Sequence, residues 1–214
     1  PGKKSTIVTD RAGVIRKNNL MPGQEVSVDH FMCSERGRLF SSRGKTADKD
    51  MYAGGCIFVD HASNYIQVEF QTTLSSHATI VSKEQFESHC RDHGVVVHKY
   101  LTDNGSAFTS AAFTQHLNKF RQLIRHSGAS AHHQNGHAKR SIQTIMSISR
   151  AMMIHAAIHW PDMADTSVWA MAVSHAVFLW NHMPNPHTGL SPTDIFTRSR
   201  WKLSQLHNVH VWGS

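Results

Sequence analysis

Three strand-like segments follow one another early in the chain, and they constrain its fold more than any other feature. Residues 25–33, 52–59 and 65–72 are rich in Val, Ile, Phe and Tyr and are separated by polar, turn-forming residues, which is typical of β-strands. The second segment is apolar throughout and is expected at the centre of a sheet, whereas the third alternates apolar and polar residues as a half-exposed strand does. The chain is therefore predicted to begin with a sheet of consecutive strands.

After these strands, helices alternate with strands. Helices are predicted at about 77–92 and 110–120, strands at 95–101 and 122–125, polar loops at 34–50 and 127–136, and then two long helices, the first broken at Pro161 and the second covering 166–182. A last helix is expected to start at Ser191-Pro192, because Ser is a favoured N-cap and Pro a favoured first residue. This order predicts an α/β fold in which a mixed five-stranded sheet carries helices on both faces.

The chain is basic, and its charges are unevenly distributed. The net charge is +7, and residues 104–161 contain six Lys or Arg and no Asp or Glu. A basic domain indicates an anionic partner, with nucleic acid first and a membrane surface second. The 40% hydrophobic content excludes a disordered chain. Three cysteines are too few for a disulfide scaffold, and no apolar run reaches the roughly 20 residues that span a bilayer.

Two aspartates are candidate metal ligands. Asp29 lies within the first predicted strand, and Asp103 ends the strand that precedes Asn104-Gly105. Ligands of open α/β sheets gather beyond the carboxyl ends of the strands, and a carboxylate inside a strand is costly unless it is paired, hydrogen-bonded or metal-bound. Two such acids on neighbouring strands suit Mg²⁺, which prefers oxygen ligands. The alternative is that Asp103 only caps its turn and that Asp29 is half exposed.

Four motifs together carry a resemblance to a known family. They are Val28-Asp29-His30-Phe31, Val59-Asp60-His61 with Asn64-Tyr65, Thr102-Asp103-Asn104-Gly105-Ser106-Ala107-Phe108, and Gln134-Asn135-Gly136-His137-Ala138-Lys139-Arg140. In this order they resemble the catalytic core of retroviral-type integrases, and more closely the integrases of copia-type LTR retrotransposons. The resemblance covers about residues 15–212 and includes the Trp160-Pro161 break and Leu190-Ser191-Pro192.

The resemblance implies a ribonuclease H-like fold whose active site holds two Mg²⁺ (or Mn²⁺) ions between two Asp and one Glu. The two Asp correspond to Asp29 and Asp103, and Asn104 and Gly105 are expected to support the second. The Glu of the family follows the second Asp after 35 intervening residues, and this chain has Lys139 there. Relative to the family, Lys139 is the most consequential departure.

Lys139 changes the local charge by +2 and puts an ammonium where a ligand belongs. The ammonium can pair with Asp29 or Asp103 and take the metal position, and residues 104–161 contain no acid to replace the lost Glu. We therefore expect weakened Mg²⁺ binding and little or no strand transfer. The alternative is that Lys139 points outward, although it shares a helix side with the apolar Ile142, Met146 and Met153.

Three further groups of residues were weighed. Asp60 is the rival first acid, but its place after the second strand favours an Asx turn. His132, His133 and His137 suggest zinc only weakly, because no Cys lies near them. For these histidines together with Gln134 and Asn135, contact with DNA and a merely solvated loop are equally good interpretations. Further contacts to DNA phosphates are expected from four basic residues in the acid-free stretch: Lys119, Arg121, Arg125 and Arg140. The alternative is that these residues only form a solvated basic face.

One domain is expected, because 214 residues can bury a single core. Residues 1–22 are predicted as a basic arm or linker, 23–186 as the integrase catalytic core, and 187–214 as a truncated C-terminal extension of that core. The first residue is Pro rather than Met, so we expect a piece of a longer polyprotein. No signal peptide is present, which favours the nucleus or an intracellular particle over secretion.

The resemblance also implies partners. They are DNA, as element ends and as target, and a second copy of the chain in a homodimer or higher oligomer, with no membrane. The helix predicted at 166–182 is apolar on nearly all sides, which fits an interface or an ordinary core equally well. Two other functions stay open: a non-catalytic DNA-binding or assembly module on the same fold, and another ribonuclease H-like nuclease or transposase.

Overall fold

The structure is a computed structural model that describes residues 20–41, 47–127 and 136–200. Residues 1–19 of the predicted basic arm, most of the loop predicted at 127–136 and residues 201–214 of the predicted extension lie outside these ranges. The domain boundaries therefore stay predictions.

Five strands form one mixed sheet, as the sequence predicts. They are β1 (Val26–Gly37), β2 (Tyr52–Asp60), β3 (Ile66–Gln71), β4 (Lys99–Thr102) and β5 (Leu123–His126). Their order across the sheet is β3-β2-β1-β4-β5. The three consecutive strands pair antiparallel, whereas β4 lies parallel to β1 and β5 parallel to β4. β1 is thus the central strand, and it is hydrogen-bonded on both sides.

Helices cover both faces of this sheet. They are α1 (Ser76–Asp92), α2 (Ser106–Thr109), α3 (Ala111–Lys119), α4 (Gly136–His159), α5 (Trp169–His182) and α6 (Pro192–Thr197). One core contains Val26 and Val28 of β1 together with buried side chains of α1, α2, α3 and α6. The other contains Phe31 of β1 with Ala138 of α4 and Val173 of α5. Alternate residues of β1 therefore face opposite cores, and Asp29 lies on the side of α4 and α5.

Three elements differ from the sequence prediction. β1 continues four residues past Cys33, because Gly37 still pairs with Tyr52 and the Trp169 indole N–H donates to the Glu35 carbonyl at 3.0 Å. The prediction of a loop from residue 34 is therefore wrong for residues 34–37. β4 is shorter than predicted and starts at Lys99, and the α-helix predicted from residue 166 starts at Trp169 after one 3-10 turn. The predicted start at Ser191 is confirmed by a capping box with Asp194.

A buried amide joins α5 to the edge of the sheet. The Asn181 side chain accepts a hydrogen bond from the Ile66 N–H at 2.9 Å and donates one to the Ile66 carbonyl at 2.7 Å. It thereby satisfies backbone groups of β3 that point away from β2, as a neighbouring strand would. Ser191 and Thr193 of the following segment are buried too, and the Thr193 hydroxyl donates to the Asn181 carbonyl at 2.9 Å.

The described residues also bear on cysteine chemistry and on membranes. Cys56 and Cys90 are buried in the core beside α1, Cys33 is half-buried, and all three are free thiols. Within the described ranges, no helix is long and apolar enough to cross a bilayer.

Candidate active site

The pairing of β1 with β4 brings the two candidate acids together. Val26 is the partner of Tyr100, and Ser27 is the partner of Leu101. Continued by two residues, this parallel register sets Asp29 beside Asp103 on the face that α4 covers. The electrostatic influence of Asp103 on Asp29 agrees with this placement. Of the two carboxylates, that of Asp29 is the more buried, with the residue only 6% exposed.

Each carboxylate is oriented by one backbone hydrogen bond. The His30 N–H donates to Asp29 Oδ1 at 2.9 Å, and the Gly105 N–H donates to Asp103 Oδ1 at 2.9 Å. Neither Oδ2 atom accepts a hydrogen bond from another described residue. A Cβ at Gly105 would lie 3.0 Å from Asp103 Oδ1, so the absence of a side chain there lets the backbone approach the carboxylate. The acids therefore keep oxygen lone pairs for a cation.

Burial and like charge act together on Asp29. Burial raises the pKa of Asp29, the negative charge of Asp103 adds to the rise, and the pKa moves from an ordinary 3.8 to about 6. The hydrogen bond from His30 and the positive charge of Lys139 oppose this shift. A carboxylate whose ionisation is disfavoured by burial and by a neighbouring negative charge is stabilised by a cation bound beside it.

Lys139 lies in the first turns of α4, directly after the fully buried Ala138. The residue is half-buried, and its charge lowers the pKa of Asp29. The half-buried position of Lys139 and its charge influence on Asp29 are the two observations that favour the acid side over solvent for the ammonium. No Asp or Glu oxygen of the described residues lies within 4.0 Å of the Lys139 ammonium, so the predicted direct ion pair is not formed there.

The start of α4 is held by the turn between β2 and β3. Asn64, in a left-handed conformation with φ 59°, interacts through Oδ1 with the ring of His137 at 3.1 Å. The Asn64 carbonyl accepts a hydrogen bond from the Trp180 indole N–H at 3.1 Å. The rings of His61 and His137 are 4.6 Å apart. One turn thus fixes both long helices, and it fixes Lys139 two residues after His137. His137 therefore anchors the start of α4 to this turn.

A chain of Ser, His and Glu side chains also lies near this turn. Ser27 Oγ is 2.6 Å from His61 Nε2, and His61 Nδ1 is 3.6 Å from Glu25. The arrangement has the residue types of a catalytic triad. Ser27 is 0% exposed, however, and Glu25 also pairs with Lys99 at 2.9 Å. A substrate cannot reach the buried Ser27 hydroxyl, so these side chains have a structural role.

Asp60 has the turn role that the sequence favoured for it. It is 1% exposed, and its carboxylate accepts hydrogen bonds from the Ser63 N–H at 2.8 Å and the Ser63 hydroxyl at 2.6 Å, and from the Gly23 N–H at 2.8 Å. In the register of β1 and β2, Asp60 pairs with Val26, three residues from Asp29, which is about 10 Å along a strand. Its oxygens are therefore occupied and distant from the acid pair.

The predicted DNA-contacting residues fall into two groups. Arg125 is exposed, shares a sheet face with Asp103 and pairs with Leu101. Arg140 is exposed beside Lys139. Lys119 and Arg121 lie before β5, and Arg121 is four residues, or about 13 Å of extended chain, from Arg125. The structure thus puts Arg125 on the sheet face of Asp103 and Arg140 next to Lys139 in α4, whereas Lys119 and Arg121 lie away from Arg125. His132, His133, Gln134 and Asn135 lie outside the described residues.

Two side chains near the acids act on the supporting framework. Asn104, predicted to support Asp103, instead donates through Nδ2 to the Ser127 carbonyl at 2.9 Å and ties the end of β4 to the end of β5. His30, which the sequence analysis gave no role, stacks on Phe108 with ring centroids 4.6 Å apart and interacts with the Thr79 hydroxyl at 3.0 Å. Burial lowers the pKa of His30, although the charge of Asp103 opposes this. Its place next to Asp29 was the only sequence signal.

A large groove between β1, α4 and α5 was not predicted. It has a volume of about 810 Å³ and is lined mainly by apolar side chains, among them Met146, Met153 and Trp169. Ile154 at its edge is 53% exposed, and Ile158, one helical turn further, is 72% exposed. Arg150 and Asp165 also line the groove. An exposed apolar surface of this kind marks an interaction site.

Comparison with known proteins identifies the fold. No protein-family model and no curated protein matches the sequence. Among solved structures, a chain of the simian T-cell lymphotropic virus intasome in complex with PP2A regulatory subunit B56 gamma is similar over 86% of this chain, with 16% identity and a TM-score of 0.62. The present chain covers 58% of that chain's length.

Two isolated catalytic cores are similar as well. The HTLV-2 integrase catalytic core domain in complex with magnesium matches over 83% of this chain and 98% of its own, with 18% identity and a TM-score of 0.56. The catalytic core domain of BIV integrase matches over 82% and 95%, with 12% identity and a TM-score of 0.58. The chain therefore has the ribonuclease H-like fold of integrase catalytic cores, as predicted.

The donor set of this site fits a divalent metal only in part. Two carboxylates with available oxygens suit a hard cation such as Mg²⁺. The position at which the resemblance implies the third acid carries the ammonium of Lys139, which has no lone pair to donate and repels a cation. In residues 20–41, 47–127 and 136–200, no three His, Cys, Asp or Glu side chains are grouped as metal ligands. The residues present thus do not fit a two-metal site.

We predict that Asp29→Asn stabilises the metal-free protein in a pH-dependent way. The raised pKa means that ionisation of Asp29 costs the folded state free energy, and the cost grows from about pH 4 to about pH 6 and is constant above. Asn resembles the protonated carboxyl and avoids this cost. Urea unfolding in EDTA should show no gain at pH 4 and a gain of up to about 3 kcal/mol at pH 7.5, at about 1.4 kcal/mol per pKa unit.

The control for this prediction is Asp50→Asn, since Asp50 is exposed on a 3-10 helix remote from the acid pair. It should show no comparable gain at either pH. A stability difference for Asp29→Asn that is the same at pH 4 and pH 7.5 would contradict the assignment of a buried, like-charged pair.

Proposed function

We propose that this chain is the catalytic-core unit of a copia-type retrotransposon integrase that binds DNA, and that Lys139 has removed most of its capacity for 3′-end processing and strand transfer. The observation that carries the proposal is the placement of Asp29 beside Asp103 on a ribonuclease H-like sheet, with the charge of Lys139 acting on the pair. The similar structures are an intasome and integrase catalytic cores, which supports this class of reaction.

The physical argument concerns charge at a phosphodiester. Divalent ions at such a site neutralise the phosphate and align the attacking and leaving oxygens. Asp29 and Asp103 supply two negative charges and free oxygen lone pairs for them. Lys139 supplies a positive charge in their place, so it competes with a cation for the two acids. The chain can attract a DNA phosphate through this ammonium, but it lacks the third carboxylate that would hold both ions.

The charges around the acids favour DNA as the partner. Arg125 is exposed on the sheet face of Asp103, Arg140 is exposed next to Lys139, and residues 104–161 contain no carboxylate. Contacts from such side chains to phosphates do not depend on base sequence, and they weaken as salt rises. This arrangement equally supports a non-catalytic DNA-binding or assembly module on the same fold, which is the first alternative. Another ribonuclease H-like nuclease or transposase is the second.

A second copy of the chain is the proposed protein partner. The groove between α4 and α5 lies beside the protruding Ile154 and Ile158, so a ridge and a recess are adjacent on one face. In a dimer with two-fold symmetry, the ridge of each copy can therefore pack into the groove of the other. Arg150 and Asp165 supply charges of opposite sign on the same face. The similar HTLV-2 integrase catalytic core has been solved in a dimeric and in a trimeric form. We also propose that the protein acts in the nucleus or in an intracellular particle.

We predict that Lys139→Glu gives the chain metal-dependent activity on short DNA duplexes. The exchange restores a carboxylate facing Asp29, and cleavage or joining of 3′ ends with Mg²⁺ or Mn²⁺ should rise at least about 100-fold over wild type, since metal stabilisation of the transferring phosphoryl group is worth several kcal/mol. Lys139→Gln is the matched control, because it removes the positive charge without adding a ligand, and it should stay inactive.

The same assay separates the alternatives. Lys139→Glu combined with Asp103→Asn should lose the restored activity while DNA binding persists. Cleavage without joining would favour a nuclease, and DNA binding with no effect of metal in any variant would favour a non-catalytic module. If the wild type joined DNA ends as well as Lys139→Glu does, the third carboxylate would not be needed and the proposal would be overturned.

We predict that Ile158→Glu weakens self-association. A charge at this exposed position must be desolvated in the proposed interface, and the loss of an apolar contact worth about 1.5–3 kcal/mol raises the dimer dissociation constant at least about 10-fold. The measurement is light scattering coupled to size exclusion over a concentration series. Val96→Glu is the control, because Val96 is 61% exposed before β4, away from the groove. A monomeric wild type, or equal effects of both exchanges, would contradict this interface.

A further inference from the structure

Two histidines form an exposed pair at the end of α4. His155 and His159 are four residues apart, so they lie on the same side of the helix, one turn above the other. Their rings are stacked, with centroids 4.1 Å apart and an angle of 26° between the planes. Both residues are exposed. Two imidazoles held side by side at this spacing are the arrangement with which a helix presents two nitrogen ligands to one metal ion.

A hydrogen bond fixes the tautomer of one of these rings. His159 Nδ1 lies 2.9 Å from the His155 carbonyl oxygen. A carbonyl can only accept, so Nδ1 carries the proton, and in the neutral ring Nε2 keeps its lone pair. Histidines that ligate metals commonly donate their other N–H to a carbonyl in this way, because the bond orients the ring. The backbone of α4 thus prepares His159 to act as a ligand through Nε2.

The surroundings of the pair favour a cation but offer no carboxylate on the same helix. The pair occupies the last turn of α4, where the helix dipole is negative. Residues 104–161 contain no Asp or Glu, so the donors on this helix are nitrogen atoms. Imidazole nitrogens suit Zn²⁺, Ni²⁺ and Cu²⁺, whereas Mg²⁺ prefers oxygen ligands. Trp160 lies close to both rings, with centroid distances of 6.4 Å and 5.7 Å.

We propose that His155 and His159 chelate one divalent transition-metal ion of the imidazole-preferring class, with water at the remaining coordination positions. The site is separate from the acid pair, because Lys139 and His155 lie 16 residues apart on one helix, which is about 24 Å. The two sites also differ in donor chemistry, since one offers carboxylate oxygen and the other imidazole nitrogen. The inference therefore stands independently of the proposed integrase function.

The test is a calorimetric titration of the 214-residue chain with Zn²⁺ at pH 7.5, in the presence of excess Mg²⁺ to occupy oxygen sites. His155→Ala and His159→Ala should each weaken one binding event at least about 10-fold, since even removing a ligand's hydrogen-bond partner costs about 10–100-fold. The double variant should lose that event. Both positions are exposed, and Ala is the strongest helix former, so folding is preserved. Circular dichroism verifies this.

The matched control is His98→Ala. His98 is exposed, and no imidazole stacks on it in the described part of the chain, so its removal should leave the number and affinity of bound Zn²⁺ ions unchanged. A second readout is quenching of tryptophan fluorescence by Cu²⁺, which should decrease in Trp160→Phe and in the double histidine variant. Equal Zn²⁺ stoichiometry and affinity in wild type and the double variant would overturn the proposal.

Discussion

The parallel pairing of β1 with β4 is the constraint on which the rest of the site depends. It puts two carboxylates side by side on a sheet, with one of them almost fully buried in the central strand. Buried like charges are unfavourable, and the raised pKa of Asp29 is the measure of that cost. A fold that keeps one acid inside β1 and the other directly after β4 has a place for a cation between them, and the similar integrase cores share this fold.

The structure bears on the lysine at position 139, where the resemblance implies a glutamate. The start of α4 is anchored by the interaction of His137 with Asn64, and Ala138 is packed in the core. Lys139 follows directly, and its charge lowers the pKa of Asp29. In our proposal, a carboxylate at this position would complete a cation site, whereas the ammonium opposes one.

The sequence predicted the sheet but not the surfaces. The strand-like segments within residues 25–72, followed by helices that alternate with strands, were enough to predict the mixed five-stranded sheet. The motif around Asp103 indicated the end of β4. The extension of β1 through Glu35 depends on contacts with Trp169, 134 residues away, which local composition does not reveal. Likewise, the groove between α4 and α5 arises only from how two apolar helices pack. Neither the anchoring role of His137 nor the position of Lys119 and Arg121 away from Arg125 follows from spacing alone.

The central claim is that Asp29 and Asp103 form a cation site that Lys139 leaves incomplete. Anomalous diffraction from crystals soaked in Mn²⁺ tests it most directly, because it counts ions at the acids without requiring activity. We predict two ions about 3.5–4 Å apart in Lys139→Glu, the spacing of a two-metal site, and fewer ions with lower occupancy in wild type. Two fully occupied ions at Asp29 and Asp103 in wild type, or none there in Lys139→Glu, would contradict the account.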